Sequence, residues 1–487
     1  MHIPCCILEN FLYIGIPMKH LRKILVAFFS IILLLEHAYS EVSIFDQENI
    51  SKLNKELTLE FSPQEEVHYD PALISIAAII HSNNIDLKKE DFKEVELPFP
   101  KVPKSFISEI NLEEYYQKNP VAYLRENKQS EKLYILFSPT FASYLGGLNN
   151  TVIHNLDSLH KKPNLLIFPG YLNEELTLNR ATPLFPDFTG EYIAEDLYHR
   201  VYPLLQNFLQ SGVKDIALIG LSGGGNIATQ FLKSEKNYEE QLNYKASINK
   251  GALLFSPVVS LEESSKAIDS NTKYAIENEG WKASQHLSHW RSKIYLLSKN
   301  KNFLTDWKYV LSLKGSDIET ANFIRKALMN EFIASDLKKV VNSSQSRNVE
   351  WDKLLYKEEL NYSSQESLEK VWGYEDYFHG YALPENIKRK SSMRDFNFRN
   401  STLLAALSEI TSPVQIVFSM DDPIASLNAV EYEKMRRTNE YSSNTIIEKL
   451  LKEMDSLPHV RVDQKKYGSH LGYFLDGEFI KQKLLSL

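Results

Sequence analysis

The sequence predicts a doubly wound α/β fold, in which helices cover both faces of a mostly parallel sheet and a large, mainly helical cap is inserted. Short apolar runs alternate with longer amphipathic stretches from Glu131 onward, as strands and crossover helices do. A polar segment over residues 262–412 interrupts this alternation and contains no run typical of a core strand. One strand-to-helix junction carries a serine between glycines, which indicates chemistry at the carboxyl ends of the strands.

The composition is that of a globular protein with a sizeable core. The chain has 487 residues, of which 43% are hydrophobic and 11% aromatic, enough for one large core with a substantial insertion. Its formal net charge is −8, and the acidic residues are spread along the chain. This argues against nucleic acid as a partner, because such binding needs a concentrated basic surface.

Residues 18–40 have the pattern of a cleavable signal peptide. A basic cluster over Lys19–Lys23 precedes the apolar run Ile24–Leu35, and small residues at Ala38 and Ser40 mark a cleavage site. The apolar run is too short to span a bilayer comfortably, so no stable membrane insertion is expected after cleavage. Met18 stands directly before the basic cluster, which predicts that residues 1–17 are an over-extended gene start.

We therefore expect an exported protein, either periplasmic or secreted. Its only cysteines, Cys5 and Cys6, precede Met18, so the predicted mature chain would form no disulfide. The oligomeric state is left open by the sequence.

The core is predicted in two parts, with an N-terminal arm over residues 41–130 that packs on it. The first part covers residues 131–261, the cap covers residues 262–412, and the last part of the core covers residues 413–487. A separate interaction domain is the alternative to a cap. The predicted elements of the core are strand Leu133–Phe137, helix Asn150–His160, strand Asn164–Phe168, helix Glu191–Gln210 and strands Ile216–Gly220, Gly251–Phe255, Val414–Phe418 and Val460–Tyr467.

Ser222 is the candidate nucleophile. It lies in a G-x-S-x-G motif between an apolar strand and a helical pattern, which is the context that exposes a serine on a sharp turn. Such a serine needs a histidine to accept its proton and backbone N–H groups to meet the developing oxyanion. Gly220 and Gly224 would allow the strand and the helix to approach closely. An ordinary glycine-rich turn is the alternative interpretation.

An acid and a base follow in the order that completes such a site. Asp422 ends a late strand, and His470 lies in a glycine-flanked loop near the C-terminus. His470 would accept the serine proton and return it to the leaving group, while the aspartate would orient the imidazole. Either Asp421 or Asp422 fits the acid role, and Pro423 directly after Asp422 favours Asp422.

With these residues in place, the chain resembles the α/β-hydrolase superfamily and, within it, is similar to the YheT-like esterase/lipase branch. The resemblance implies an α/β-hydrolase fold and hydrolysis of carboxylic esters, often lipid-like, without a cofactor. The substrate would then be a small-molecule or lipid ester. The stretches that carry the resemblance are Gly220–Asn226, Thr189–Leu197, Trp372–Phe378, Asp421–Pro423 and Gly468–Gly472.

The sequence departs from this family pattern at the oxyanion loop. Where such enzymes usually carry His-Gly, this chain has Ser-Pro-Thr-Phe over residues 138–141. Pro139 has no N–H, so we expect the Gly223 N–H to pair with that of Thr140 or, alternatively, of Phe141.

Two other functions stay open. A serine peptidase on the same fold would need a cap carboxylate, such as Glu375 or Asp376, to receive a free α-amine. A catalytically weak hydrolase-fold binding protein is the third interpretation, because the oxyanion loop is altered. No metal site is expected, since His286 and His289 have helical spacing but no carboxylate or cysteine nearby.

Overall fold

The structure is a computed structural model that describes residues 71–98, 119–140, 142, 144–170, 190–242, 245–279, 403–428, 430–432, 434 and 444–487. The predicted signal peptide, most of the predicted cap and residues Phe141, His286, His289, Glu375 and Asp376 lie outside these ranges. Among the described helices, none combines the length and apolarity needed to cross a membrane.

The described residues form an eight-stranded sheet flanked by helices, which confirms the predicted α/β-hydrolase fold class. The strand order across the sheet is β1-β2-β4-β3-β5-β6-β7-β8. The strands are β1 Lys93–Glu96, β2 Val121–Arg125, β3 Lys132–Phe137, β4 Asn164–Phe168, β5 Asp215–Leu221, β6 Ala252–Phe255, β7 Val414–Ser419 and β8 Val460–Lys465. The helices are α1 Pro71–Asn83, α2 Leu148–His160, α3 Glu191–Gln210, α4 Gly223–Leu242, α5 Leu261–Glu279, α6 Leu403–Leu407, α7 Thr445–Asp455 and α8 Gly477–Leu484.

All pairings from β4 through β3, β5, β6 and β7 to β8 are parallel. Every residue of β4 and β6 is buried, and all but the first of β3 and β5 are buried too. Strands buried on both faces read as continuous apolar runs, which is why the sequence identified them. Their parallel direction brings the ends of β3, β5, β7 and β8 to the same edge of the sheet.

The N-terminal arm contributes more than was expected of it. Besides α1, it supplies β1 and β2, which continue the sheet as antiparallel strands beyond β4. β1 has the sequence Lys-Glu-Val-Glu and is mostly exposed. Since it lacks an apolar run, the sequence did not identify it as a strand. Charged side chains of this kind protect an edge strand from further pairing. The sheet therefore begins before residue 131.

Helix α1 lies against two later parts of the chain. A Cβ added at Gly472 would lie 2.3 Å from Ile74 Cγ2, so the segment after His470 packs directly on this helix. Near its other end, the hydroxyl of Ser82 is 2.7 Å from that of Thr151 on α2. The helix thus touches both the histidine loop and the helix that follows the oxyanion loop.

Of the predicted cap, the structure describes only the two helices at its borders. Helix α5 leaves the core directly after β6, and α6 returns to it just before β7. Leu403 and Leu407 of α6 are buried in the core. The 123 residues between them, 280–402, lie outside the described ranges, and the helical cap remains a prediction.

Candidate active site

Ser222 lies on a sharp turn between β5 and α4, with a backbone φ of 53°. A left-handed conformation is costly for a residue other than glycine, and such strain is found where a site demands it. Close backbone contacts surround the turn. A Cβ at Gly224 would lie 2.3 Å from the Phe137 carbonyl oxygen, and one at Gly220 would lie 2.5 Å from Gly225 Cα. Both glycines are therefore required for the strand and the helix to meet.

His470 bridges the serine and an aspartate. Its Nε2 lies 3.0 Å from Ser222 Oγ, and its Nδ1 lies 2.7 Å from Asp422 Oδ2. A carboxylate can only accept, so Nδ1 carries the hydrogen and Nε2 is left as the acceptor for the serine hydroxyl. Ser222 and His470 are each 9% exposed. A small part of both side chains is therefore accessible in the described structure.

Asp422 is held rigidly by its own backbone turn. Its Oδ1 accepts hydrogen bonds from the Ile424 N–H at 2.8 Å and the Ala425 N–H at 2.9 Å. The side chain is completely buried, and Oδ2 is directed at the imidazole of His470. This is the arrangement that fixes a histidine in one tautomer and orientation.

Asp421, the alternative acid, bonds the backbone of the histidine loop instead of the ring. Its Oδ1 accepts from the Ser469 N–H at 2.8 Å, and its Oδ2 accepts from the Gly468 N–H at 3.3 Å. The structure therefore brings Asp422, rather than Asp421, against the imidazole.

The oxyanion loop begins at Ser138, at the end of β3. The Ser138 N–H donates to the Phe168 carbonyl at 3.1 Å, as does its hydroxyl at 2.6 Å. This N–H is therefore engaged in the sheet and is not placed to serve as an oxyanion donor. The Asn149 amide donates to Ser138 Oγ at 2.8 Å and anchors the loop from α2.

Thr140 lies in the turn that follows. The Ala142 N–H donates to the Pro139 carbonyl at 2.9 Å and closes this turn. A Cβ at Gly170 would lie 2.2 Å from the same carbonyl oxygen, so the loop after β4 presses directly on it. Gly223, the other predicted donor, is the first residue of α4, where backbone N–H groups have no partner within the helix. Phe141 lies outside the described residues.

Two further side chains near the site gave no chemical signal in the sequence. The Asn226 amide exchanges two hydrogen bonds with the Val258 backbone, at 2.8 and 2.9 Å, and ties α4 to the loop after β6. Tyr473 is buried with its hydroxyl 2.9 Å from Ser256 Oγ. Burial raises the pKa of Tyr473 well above its ordinary value, so it stays neutral. In the sequence, Tyr473 stands directly after the glycine-flanked loop of His470, and nothing in the pattern pointed to a role for it.

A small apolar cavity adjoins the serine turn. Its wall includes Ser138 from the oxyanion loop and Gly224 from the turn. The rest of its lining is almost entirely apolar and includes Val121, Phe168, Ile193, Leu197 and Ile227. Within the described ranges, no group of three or more His, Cys, Asp or Glu residues is placed to hold a metal ion.

No protein-family model matches the chain, and no curated protein matches it. Among solved structures, it is similar to an esterase from Pyrococcus furiosus, with a TM-score of 0.37 and 13% identity over 82% of this chain and 92% of that one. It is also similar to a proline iminopeptidase from Mycobacterium smegmatis, with a TM-score of 0.33 and 11% identity over 81% and 99% of the two chains. A third is 2-hydroxy-6-oxo-6-phenylhexa-2,4-dienoate hydrolase from Rhodococcus sp. strain RHA1, with a TM-score of 0.36 and 11% identity over 81% and 98%. These likenesses are distant, and the assignment of the fold rests on the strand order itself.

Proposed function

We propose that this protein is a serine hydrolase that cleaves carboxylic esters through an acyl-enzyme. One observation carries the proposal: Ser222 Oγ, the His470 ring and Asp422 Oδ2 form a continuous hydrogen-bonded chain of 3.0 and 2.7 Å. The three groups come from three separate strand ends, and the serine sits on a strained turn. A structural serine would need neither the strain nor the buried acid behind the histidine.

In the first half-reaction, Ser222 Oγ attacks the ester carbonyl carbon as its proton passes to His470 Nε2. Asp422 stabilises the imidazolium that forms, and the carbonyl oxygen becomes an oxyanion. When the tetrahedral intermediate collapses, the carbon–oxygen bond to the alcohol breaks. His470 gives the proton to that leaving oxygen, which leaves an acyl group on Ser222.

The oxyanion would be met by the backbone N–H groups of Gly223 and Thr140. Gly223 offers the N–H of a helix N-terminus, where the helix dipole also favours negative charge. The turn that contains Thr140 is fixed by the Ala142 bond and by Gly170, which supports a preformed donor on that side. Phe141 is the alternative donor.

In the second half-reaction, a water takes the place of the alcohol. His470 accepts a proton from the water, and the resulting hydroxide attacks the acyl carbon. Collapse of the second intermediate breaks the bond to Ser222 Oγ, and His470 returns the proton to it. Every proton in the cycle passes through His470, so no cofactor is required.

A lipid-like ester is the substrate that the resemblance to the esterase/lipase branch implies, and it is part of this proposal. The proposed membership of the YheT-like esterase/lipase branch rests on the sequence resemblance, including the Gly220–Asn226 stretch. The leader over residues 18–40 supports export to a periplasm or out of the cell.

The test is fluorophosphonate labelling of the purified protein with peptide mapping of the adduct, alongside turnover of p-nitrophenyl esters of graded chain length. We expect the adduct on Ser222, and Ser222→Ala should lose both labelling and turnover while it keeps its fold. Ser234→Ala is the matched control, because Ser234 is a buried serine on helix α4, which begins directly after Ser222, and its hydroxyl donates to the Gln230 carbonyl of the same helix. A folded protein that neither labels nor turns over would refute the proposal and favour a binding function. Turnover of peptides in preference to esters would favour the peptidase.

A further inference from the structure

We propose that Ser75, in the N-terminal half of helix α1, is a positioning residue for His470, so that this end of the helix supports the catalytic apparatus. The proposal rests on the function proposed above and names a component of the same site. Its basis is a set of bonds that joins α1 to Ser469, the residue directly before His470. These partners are 394 and 398 residues apart in the chain.

Both the backbone N–H and the hydroxyl of Ser469 are hydrogen-bonded. Its N–H donates to Asp421 Oδ1 at 2.8 Å, and its hydroxyl donates to the Pro71 carbonyl at the start of α1. The Ser75 hydroxyl lies 2.7 Å from Ser469 Oγ. Since the single hydroxyl proton of Ser469 goes to Pro71, Ser75 must be the donor in this second bond. Both serines are buried, with Ser469 completely inaccessible and Ser75 2% exposed.

The backbone around His470 explains why such a clamp is needed. Ser469 has a φ of 53° and Leu471 a φ of 63°, so the residues on both sides of the histidine are left-handed. A non-glycine residue in this conformation is strained, and it persists only where the surrounding structure holds it in place. Asp421 holds the loop through the Gly468 and Ser469 N–H groups, and α1 holds it through the Ser469 hydroxyl.

Loss of the Ser75 hydroxyl is expected to move the His470 ring. When the Ser75 hydroxyl is removed, Ser469 Oγ keeps only the Pro71 carbonyl as a partner on α1. The left-handed residues of the loop can then relax. The His470 ring would then shift relative to Ser222 Oγ, from which it is now 3.0 Å away. A displacement well below 1 Å is enough to slow proton transfer, because the rate depends steeply on the alignment of the reacting groups.

The same helix supplies a matched control. Ser82 is also buried on α1 and also makes a hydroxyl-to-hydroxyl bond of 2.7 Å, but its partner is Thr151 on α2. Ser75→Ala and Ser82→Ala therefore remove the same kind of bond from the same helix. Only the first of these bonds reaches the histidine loop.

The experiment compares kcat, KM and thermal stability of the two variants with p-nitrophenyl esters. Both should lose similar stability. Ser75→Ala should lower kcat by between about tenfold and a hundredfold with KM changed less than about twofold, whereas Ser82→Ala should keep its kcat. In a His470→Ala background, Ser75→Ala should have no further effect on the residual rate, because its action passes through the histidine.

Equal kcat values for the two variants would overturn the proposal, and so would a full additional loss in the His470→Ala background. If Ser75→Ala does not fold, Ser469→Gly removes the bonds to both Ser75 and Pro71 while glycine suits the positive φ, and it should lower kcat in the folded state. The failures of the two proposals are distinguishable. An inactive wild-type protein refutes the hydrolase function, and an active wild type with an unaffected Ser75→Ala refutes only the role of α1.

Discussion

Asp421 and Asp422 are adjacent in the chain and both completely buried, yet they hold the histidine loop by different parts. Asp422 accepts a hydrogen bond from the His470 ring, and Asp421 accepts two from the backbone of Gly468 and Ser469. Asp422 also accepts from the Ile424 and Ala425 N–H groups, so its carboxylate holds the turn at Pro423 as well. One carboxylate acts on the imidazole, and the other acts on the loop that carries it.

Asp422→Asn should lower kcat by roughly 10³- to 10⁴-fold while the fold is retained. The asparagine oxygen can still accept from Ile424 and Ala425, so the turn stays intact. Its amide group would then face Nδ1 of His470 as a donor and hold the imidazole in the wrong tautomer. Steady-state kinetics with a p-nitrophenyl ester, together with circular dichroism, checks both halves of this expectation. Wild-type kcat in the folded variant would exclude Asp422 as the orienting acid.

Asp421→Asn should instead cost stability. The amide oxygen can accept from Ser469, but the Gly468 N–H would then face an NH₂ group at the position that is now 3.3 Å away. Replacing a hydrogen bond by a contact between two donors at this half-buried position should cost on the order of 1 kcal/mol. Urea unfolding should reveal this loss, and kcat should fall less than in Asp422→Asn. The opposite order of kcat losses would reverse the roles given to the two aspartates.

The sequence predicted the parallel core closely because its signal is local. The predicted bounds of α3 and β4 agree with the structure, and the other predicted core elements differ by a few residues at their ends. Continuous apolar runs and helical periodicity are properties of a single segment, so no tertiary information is needed to recognise them. The serine turn could be recognised for the same reason, because its glycines and flanking elements all lie within one stretch.

The parts that the sequence did not reveal depend on contacts between distant segments. β1 is a charged edge strand, and its place in the sheet is set by pairing with β2 rather than by its own composition. The bond between Ser75 and Ser469 joins two serines that have no distinctive local pattern. The choice between Asp421 and Asp422 could be argued from Pro423, but only the orientation of the two side chains separates their roles.

Gly224→Ala should disrupt the serine turn. Its Cβ would lie 2.3 Å from the Phe137 carbonyl oxygen and 2.5 Å from that of Ser138, and neither backbone atom can move without opening the sheet. Overpacking typically costs about 1–3 kcal/mol and occasionally more, and contacts with backbone atoms put this substitution toward the upper end. The strain would also move the oxyanion loop away from Gly223, so kcat should fall in whatever fraction folds.

Gly477→Ala is the control for that substitution. Gly477 opens helix α8 with nothing within 4 Å of an added Cβ, so alanine should leave stability unchanged or raise it by about 0.4–1 kcal/mol. Thermal unfolding of the two variants measures the difference. If Gly224→Ala is as stable as Gly477→Ala, the close approach of α4 to β3 is not required.

Glu235 and His199 should make opposite contributions to the pH dependence of stability. Burial raises the pKa of Glu235 from 4.5 to about 7, against the bonds that its carboxylate accepts from the Ser247 and Ile248 N–H groups. Between pH 4.5 and 7 the folded state therefore holds a proton that the unfolded state releases, and this contribution to stability falls as the pH rises. Burial, with the charge of Arg200, lowers the pKa of His199 to about 4. Its contribution therefore rises between pH 4 and 6.5.

Because the two windows overlap, the effects partly cancel in the wild type and emerge only in variants. Glu235→Gln removes the charge but keeps an acceptor oxygen. Its stability relative to wild type should therefore increase as the pH rises from 4.5 to 7, by on the order of 3 kcal/mol in total. His199→Gln should show the reverse trend, with its greatest relative stability near pH 4 and a decline toward pH 6.5. Urea unfolding of both variants and the wild type at pH 4.5, 5.5, 6.5 and 7.5 measures the differences. A pH-independent difference for Glu235→Gln would mean that Glu235 is ionised throughout this range in the folded protein, and that its two backbone donors outweigh its burial.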